Sequence, residues 1–203
     1  LKSEAFMALA SEDYGDAPAS YGTLLSDSGA FHALSDFYLG TLIDSESDGL
    51  PDASALGDDV YGPDDEDGVL FSGILNPGKT IFAEVFLTRP TGMADPVYLN
   101  AWMDFNQDGT WADPGEQIFT DLILGSGTHL LSLRIPAAAA IGDTFSRFRI
   151  STSQGLGYLG YAPDGEVEDY LVTISESSVP IPSSVLLLGF GLLGLLRIQR
   201  SIE

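Results

Sequence analysis

Asp104-Phe105-Asn106-Gln107-Asp108-Gly109-Thr110 sets three oxygen-bearing side chains at alternate positions and ends in glycine and threonine. That spacing suits a hard cation. The alternating side chains converge, the glycine permits a sharp bend, and the Thr110 carbonyl completes the near side. Phe105 and Gln107 are expected to point away from the ion. In the helix-loop-helix calcium site the twelfth position is a glutamate; here it is Gly115, with Glu116 one residue later and Asp113 nearer. The far side is therefore expected from Asp113 or Glu116. The flanking residues read as strand, so the loop is taken as a calcium site at a hairpin-like turn. The competing reading is an Asx-rich turn whose side chains cap their own backbone.

A second segment repeats the pattern: Asp44, Glu46 and Asp48 alternate before Gly49, and Asp52 falls where a water-mediated ligand would sit. Asp58, Asp59, Asp64, Asp65, Glu66 and Asp67 would complete this site from a distance or form another. Calcium fits flexible, crowded loops better than magnesium, which demands a tight octahedron. Zinc does not fit, because the chain has two histidines, His32 and His129, and no cysteine. Arg147 and Arg149 alternate along one segment as Glu166 and Glu168 do along another, which predicts a structural ladder of ion pairs.

No catalytic constellation stands out. Neither histidine lies beside a nucleophile signature, no glycine loop precedes a lysine, and no carboxylate pair is distinguished by its setting. The chain is not expected to be an enzyme, and an extracellular hydrolase is a remote third reading. Trp111, beside the first loop, is a candidate platform for stacking on a sugar.

The 203 residues include 30 acidic and 8 basic side chains, a formal net charge of -22. A nucleic-acid partner is excluded, since binding through phosphates needs basic patches. Between Ser3 and Gly78 there is no Lys or Arg, while fifteen acids fall between Glu12 and Asp67. Such self-repulsion costs stability unless cations or water screen it. At 44% hydrophobic residues, the chain still supports a core.

The elements that must position these loops are mostly strands. Residues 80–88, 97–105, 129–135, 144–151 and 167–174 alternate apolar and polar residues or are β-branched. Gly, Pro, Asn and Asp separate them. The expected fold class is all-β: an antiparallel β-sandwich, jelly-roll or immunoglobulin-like, with long acidic metal-binding loops. The domain is placed at 12–176, after an N-terminal extension at 1–11 with helical character. A Pro/Ser linker at 177–184 leads to an expected separate hydrophobic helix at 185–200 with a basic end. That run has no polar face, which predicts membrane insertion or self-association through its glycines.

The string Gly165-Glu166-Val167-Glu168-Asp169-Tyr170 is the signature of the bacterial secreted proteins that carry the GEVEDY domain, and the chain resembles them. Asp13-Tyr14-Gly15-Asp16-Ala17-Pro18, Gly57-Asp58-Asp59, Asp64 to Val69, Trp102 to Asn106 and Arg147-Phe148-Arg149 match in the same order. The tail, with Pro180-Ile181-Pro182 before the apolar run and terminal arginines, resembles the PEP-CTERM sorting signals of Gram-negative bacteria. The resemblance implies a secreted module of the cell surface or extracellular matrix, with no established catalytic function. It also implies that the tail meets a membrane or a sorting machinery.

Together these readings describe a calcium-stabilised structural or adhesive protein of the surface or biofilm matrix, self-assembling into oligomers or filaments. Asp104, Asn106, Asp108, Thr110 and Asp113 or Glu116 would hold one ion, and Asp44, Glu46, Asp48 and Asp52 another. The alternative is a module that binds extracellular polysaccharide.

Overall fold

The computed structural model describes residues 12–57 and 65–176. Eleven strands occur among them. They are β1 (Glu12–Tyr14), β2 (Phe31–Ala33), β3 (Tyr38–Leu39), β4 (Val69–Ser72), β5 (Thr80–Thr88) and β6 (Val97–Met103). The rest are β7 (Gln117–Leu124), β8 (Gly127–Arg134), β9 (Gly142–Ser151), β10 (Tyr161–Ala162) and β11 (Glu166–Ile174).

In β5 the period-two pattern works as expected. Ile81, Ala83, Val85 and Leu87 are buried while Phe82 and Glu84 face solvent. The strand has two edges to pair. β8 runs antiparallel along one, and β4 and β3 lie end to end along the other, facing residues 82–85 and 87–88. A second four-stranded sheet has the order β11-β9-β6-β7, all antiparallel. Its central strands β6 and β9 are buried on both faces through most of their length, as strands covered on both sides must be. One face of this sheet shares an apolar layer with β5: Val97, Leu99, Phe148 and Ile150 pack with Ala83, Val85 and Leu87. Farther along, Met103, Phe105, Val172 and Ile174 join Ile81, Leu133 and Ile135 in a second cluster.

The other face of that sheet is covered by a third sheet, in which β2 pairs antiparallel with β1 and parallel with β10. The expected two-sheet sandwich of jelly-roll or immunoglobulin type is therefore corrected: the strands form three sheets, none closed into a barrel. The reason lies in the charged alternate residues of β9, which need a protein partner layer rather than water. The helical turns among the described residues are short 3-10 turns, Ala19–Tyr21 and Leu25–Asp27, far from the C-terminus. The helix expected at 185–200, the linker and the extension at 1–11 lie outside the described residues. No helix among the described residues is long and apolar enough to cross a membrane.

Candidate functional site

The Asp104 loop is the connection between β6 and β7. Asp104 follows the last residue of β6, Glu116 precedes the first of β7, and the Met103 N–H donates to the Glu116 carbonyl at 2.9 Å. Asp104 is fully buried. Its Oδ1 accepts from the Gln107 N–H (2.6 Å) and its Oδ2 from the Gly109 N–H (3.0 Å) and the Tyr21 hydroxyl (2.8 Å). The same step repeats outward: Asn106 Oδ1 accepts from Asp108 N–H at 3.1 Å, and Asp108 Oδ1 from Thr110 N–H at 3.0 Å. Gln107 and Gly109 take positive φ to make the bend. Gln107 turns away to the Ala140 carbonyl and Phe105 enters the core, as the alternation predicts.

Glu116 reaches back from the far end, its two oxygens accepting from the N–H groups of Phe105 and Asp113, each at 3.2 Å. Burial, with Asp104 nearby, pushes its pKa up to about 7. Asn106 Nδ2 sits between carboxylates, donating to Asp113 Oδ2 (2.7 Å) and Asp108 Oδ2 (3.4 Å). The loop thus draws Asp104, Asn106, Asp108, Asp113 and Glu116 into one network, which Thr110 joins through its N–H and hydroxyl. It does so as a ladder of self-capping turns that leaves Asp108 and Asp113 at the surface. A carboxylate oxygen that accepts one N–H keeps a second lone pair for a cation.

The second expected quartet does not gather. Asp48 caps the Leu25 and Gly49 N–H groups at 2.7 and 2.9 Å, and Asp52 accepts from the Ser54 N–H at 2.8 Å. Asp44 and Glu46 turn elsewhere. The Asp44 N–H donates to Asp65 Oδ2 (3.0 Å), Glu46 Oε2 accepts from the Tyr14 N–H (3.2 Å), and the Asp44 and Glu46 carboxyl groups meet side by side. Burial, then Asp44 and Asp13, push the Glu46 pKa up to about 10. Asp67 is exposed and accepts from the Thr41 N–H (2.8 Å) and hydroxyl. Asp58, Asp59 and Asp64 lie outside the described residues.

The expected arginine–glutamate ladder is also corrected. Across β9 and β11, Arg147 faces Asp169 and Arg149 faces Val167, whereas Glu166 faces Ile150 and Glu168 faces Phe148. Opposed residues share a face, so the glutamates lie on the opposite side of the sheet from the arginines. Arg147 instead forms a buried two-bond pair with Asp169, at 2.7 and 2.6 Å, and lies over the Trp111 ring. Arg149 donates to His32 Nε2 at 2.9 Å and to the carbonyls of Gly157, Leu159 and Gly160. His32 Nδ1 lies 2.7 Å from the Asp164 carbonyl, so that nitrogen carries the proton and Nε2 accepts. Burial and then Arg149 hold the His32 pKa well below the usual value.

Glu166 and Glu168 clasp the opposite sheet. Glu166 Oε2 accepts from the Leu39 N–H, and Glu168 accepts from the Gly68 N–H (2.9 Å) and the Tyr170 hydroxyl (2.8 Å). Burial raises both pKa values, that of Glu168 to about 8; Glu168 and Asp13 add to the rise at Glu166, and Asp67 and Asp65 to that at Glu168. The N-terminal motif docks on the same strand: Asp13 Oδ2 accepts from the Val167 N–H (2.7 Å), and Asp169 Oδ2 from the Ala17 N–H (2.9 Å). A Cβ on Gly15 would lie 2.5 Å from Asp169 Oδ2, and one on Gly165 1.8 Å from the Ile150 carbonyl oxygen. Both motif glycines are required by close approach. Asp13 and His32 have no role assigned from sequence, and Asp169 is placed only on the face opposite the two glutamates, open to a loop or a metal site. Asp13 meets Val167, His32 meets Arg149 and Asp169 meets Ala17 across more than a hundred residues, and no spacing rule links them.

Trp111 is not a sugar platform. It is 2% exposed, its Nε1–H donates to the Phe145 carbonyl (3.1 Å), and its ring packs on Tyr21. Among the described residues, no three His, Asp or Glu side chains close into a ready-made metal cage. A cation at the Asp104 loop would need carboxylate, amide, carbonyl and water oxygens together, a mixed shell that calcium accepts and zinc does not.

With this geometry in place, the comparison with known families is specific. Residues 98–173 match the model of the GEVED domain, so a GEVED domain is present over β6 to β11. Comparison with curated proteins gives no match.

Proposed function

We propose that this protein is a calcium-stabilised structural or adhesive module, exported to the cell surface or its matrix, that self-associates. The observation that carries the reading is the β6–β7 loop. Asp104, Asn106, Asp108, Asp113 and Glu116 are drawn together there, and a neutral amide is wedged between two carboxylates. A divalent ion at that point neutralises their repulsion and makes the turn rigid. Because only the folded loop gathers the ligands, its binding adds directly to stability. The net charge of -22 supports the same reading. For self-association the support is apolar exposure: Leu70 (67%) and Leu130 (62%) both face Glu84 across neighbouring strand pairs, with Phe82 exposed one row away.

The test is a thermal melt and a light-scattering size measurement of metal-stripped protein, with and without millimolar calcium. Calcium is expected to raise Tm by several degrees, as ~1–3 kcal/mol would do for a domain of this size. It is also expected to enlarge the particles. Asp108→Asn is expected to melt no lower than wild type without calcium and to lose most of the calcium shift. An unchanged wild-type melt in calcium defeats the reading.

A further inference from the structure

We infer that the protein holds a second divalent-cation site, separate from the Asp104 loop, where Glu166 lies beside Asp13 and Asp65, which in turn adjoin the touching pair Glu46 and Asp44. These groups come from four distant stretches: β1, the segment after β3, the segment before β4, and β11. Glu166 is 0% exposed, and while its Oε2 accepts from Leu39, its Oε1 is buried with no hydrogen-bond partner among the described residues. Asp44 Oδ1 and Glu46 Oε1 are buried in the same condition. Asp13 and Asp65 are nearly fully buried and face this group, and Glu168 flanks it.

Two arrangements can hold such carboxyl groups together out of water: shared protons or a bound cation. A shared proton answers for Asp44 and Glu46, which touch. It does not answer for Glu166 Oε1, because a proton there would itself point at no acceptor. A cation resolves both, since a carboxylate oxygen with no donor is what an ion requires. Arg149 acts on Asp13 from the other side of β11 and engages His32 and carbonyl groups instead. No three carboxylates close into a cage among the described residues, so an ion here would take most of its shell from carbonyl and water oxygens. Six to eight oxygens in flexible geometry is the habit of calcium.

The inference is tested by calorimetric titration of calcium into the metal-stripped full chain, comparing wild type, Asp108→Asn and Glu166→Gln. Glutamine keeps the acceptor for Leu39 and removes the charge. Wild type is expected to show two binding events. Asp108→Asn should lose one and retain the other, and Glu166→Gln should weaken that other by ~10-fold or more. Should Glu166→Gln fail to give a β-rich spectrum, Glu46→Gln, at the half-exposed margin, carries the same expectation. A folded Glu166→Gln or Glu46→Gln chain that titrates like wild type overturns the second site. An Asp108→Asn chain that titrates like wild type overturns the loop site instead, so the two failures are distinguishable.

Discussion

His32 and Arg149 show how one buried contact fixes a protonation state. Because the Asp164 carbonyl takes the Nδ1 proton, Nε2 must accept from Arg149, and a second proton would set two cations face to face without water. The pH consequence has a definite sign. Unfolded, the imidazole titrates near 6.5; folded, it titrates well below that value. The neutral ring therefore stabilises the fold fully above about pH 6.5, and that stability is lost as pH falls, by up to ~1.4 kcal/mol per unit. Glutamine can make both hydrogen bonds and cannot titrate. Urea unfolding at pH 7.5 and 5.5 is expected to show a larger loss for wild type than for His32→Gln; equal losses refute the assignment. The alternating arginines were plain in the sequence, but their partners were not. Whether Arg147 meets Glu168 or Asp169 turns on a single residue of register, and a shift of one exchanges the two faces of a strand.

At the scale of elements, the strands with clean alternation were legible: β5, β6, β8, β9 and β11 all fall close to the expected spans. β7 was not. Its pairing with β6 slips twice, between Leu99 and Ala101 and again before Trp102, and Asp121 takes positive φ. Each slip turns the side-chain pattern over and erases the alternation that marks a strand. The bulge is held by Asn100, wholly buried in β6. Its Oδ1 accepts from the Asp121 N–H (3.0 Å), and its Nδ2 donates to Asp121 Oδ1 (3.0 Å). That carboxylate also accepts from the Gly155 N–H at 2.8 Å. Asn100→Leu is expected to cost ~1–3 kcal/mol by stranding these groups, measured by denaturant unfolding. A cost below a few tenths would mean that the bulge holds without it. The short strands β1, β2, β3 and β10 left no signal either, because two or three residues carry no period.

For the whole molecule, the GEVED match covers only part of what folds together. Residues 98–173 contain Arg147, Arg149, Glu166 and Asp169 but not His32, Leu39, Gly68 or the residues around Asp13 that satisfy them. They also omit β5, which supplies much of the shared core. A fragment of residues 98–176 is accordingly expected to stay unfolded, while 12–176 unfolds as one cooperative unit, read by circular dichroism and urea titration. A folded short fragment would show that the residues before β6 are an accessory. The acidic loops were visible in the sequence as candidates. Which carboxylates lie together was not, because the fold brings Asp44 to Asp65 and Glu46 to Asp13 and leaves Asp48 and Asp52 as caps.

The clasp between the two motifs also sets an order in time. Asp13 is made about 150 residues before the Val167 amide that it holds. Until β10 and β11 emerge, the third sheet lacks its parallel strand and the arginine layer lacks Asp169. A nascent chain of this kind stays unfinished over most of its length and closes late. Completion by such distant contacts makes for slow folding, because the long stretch between the two motifs must close before their hydrogen bonds can form.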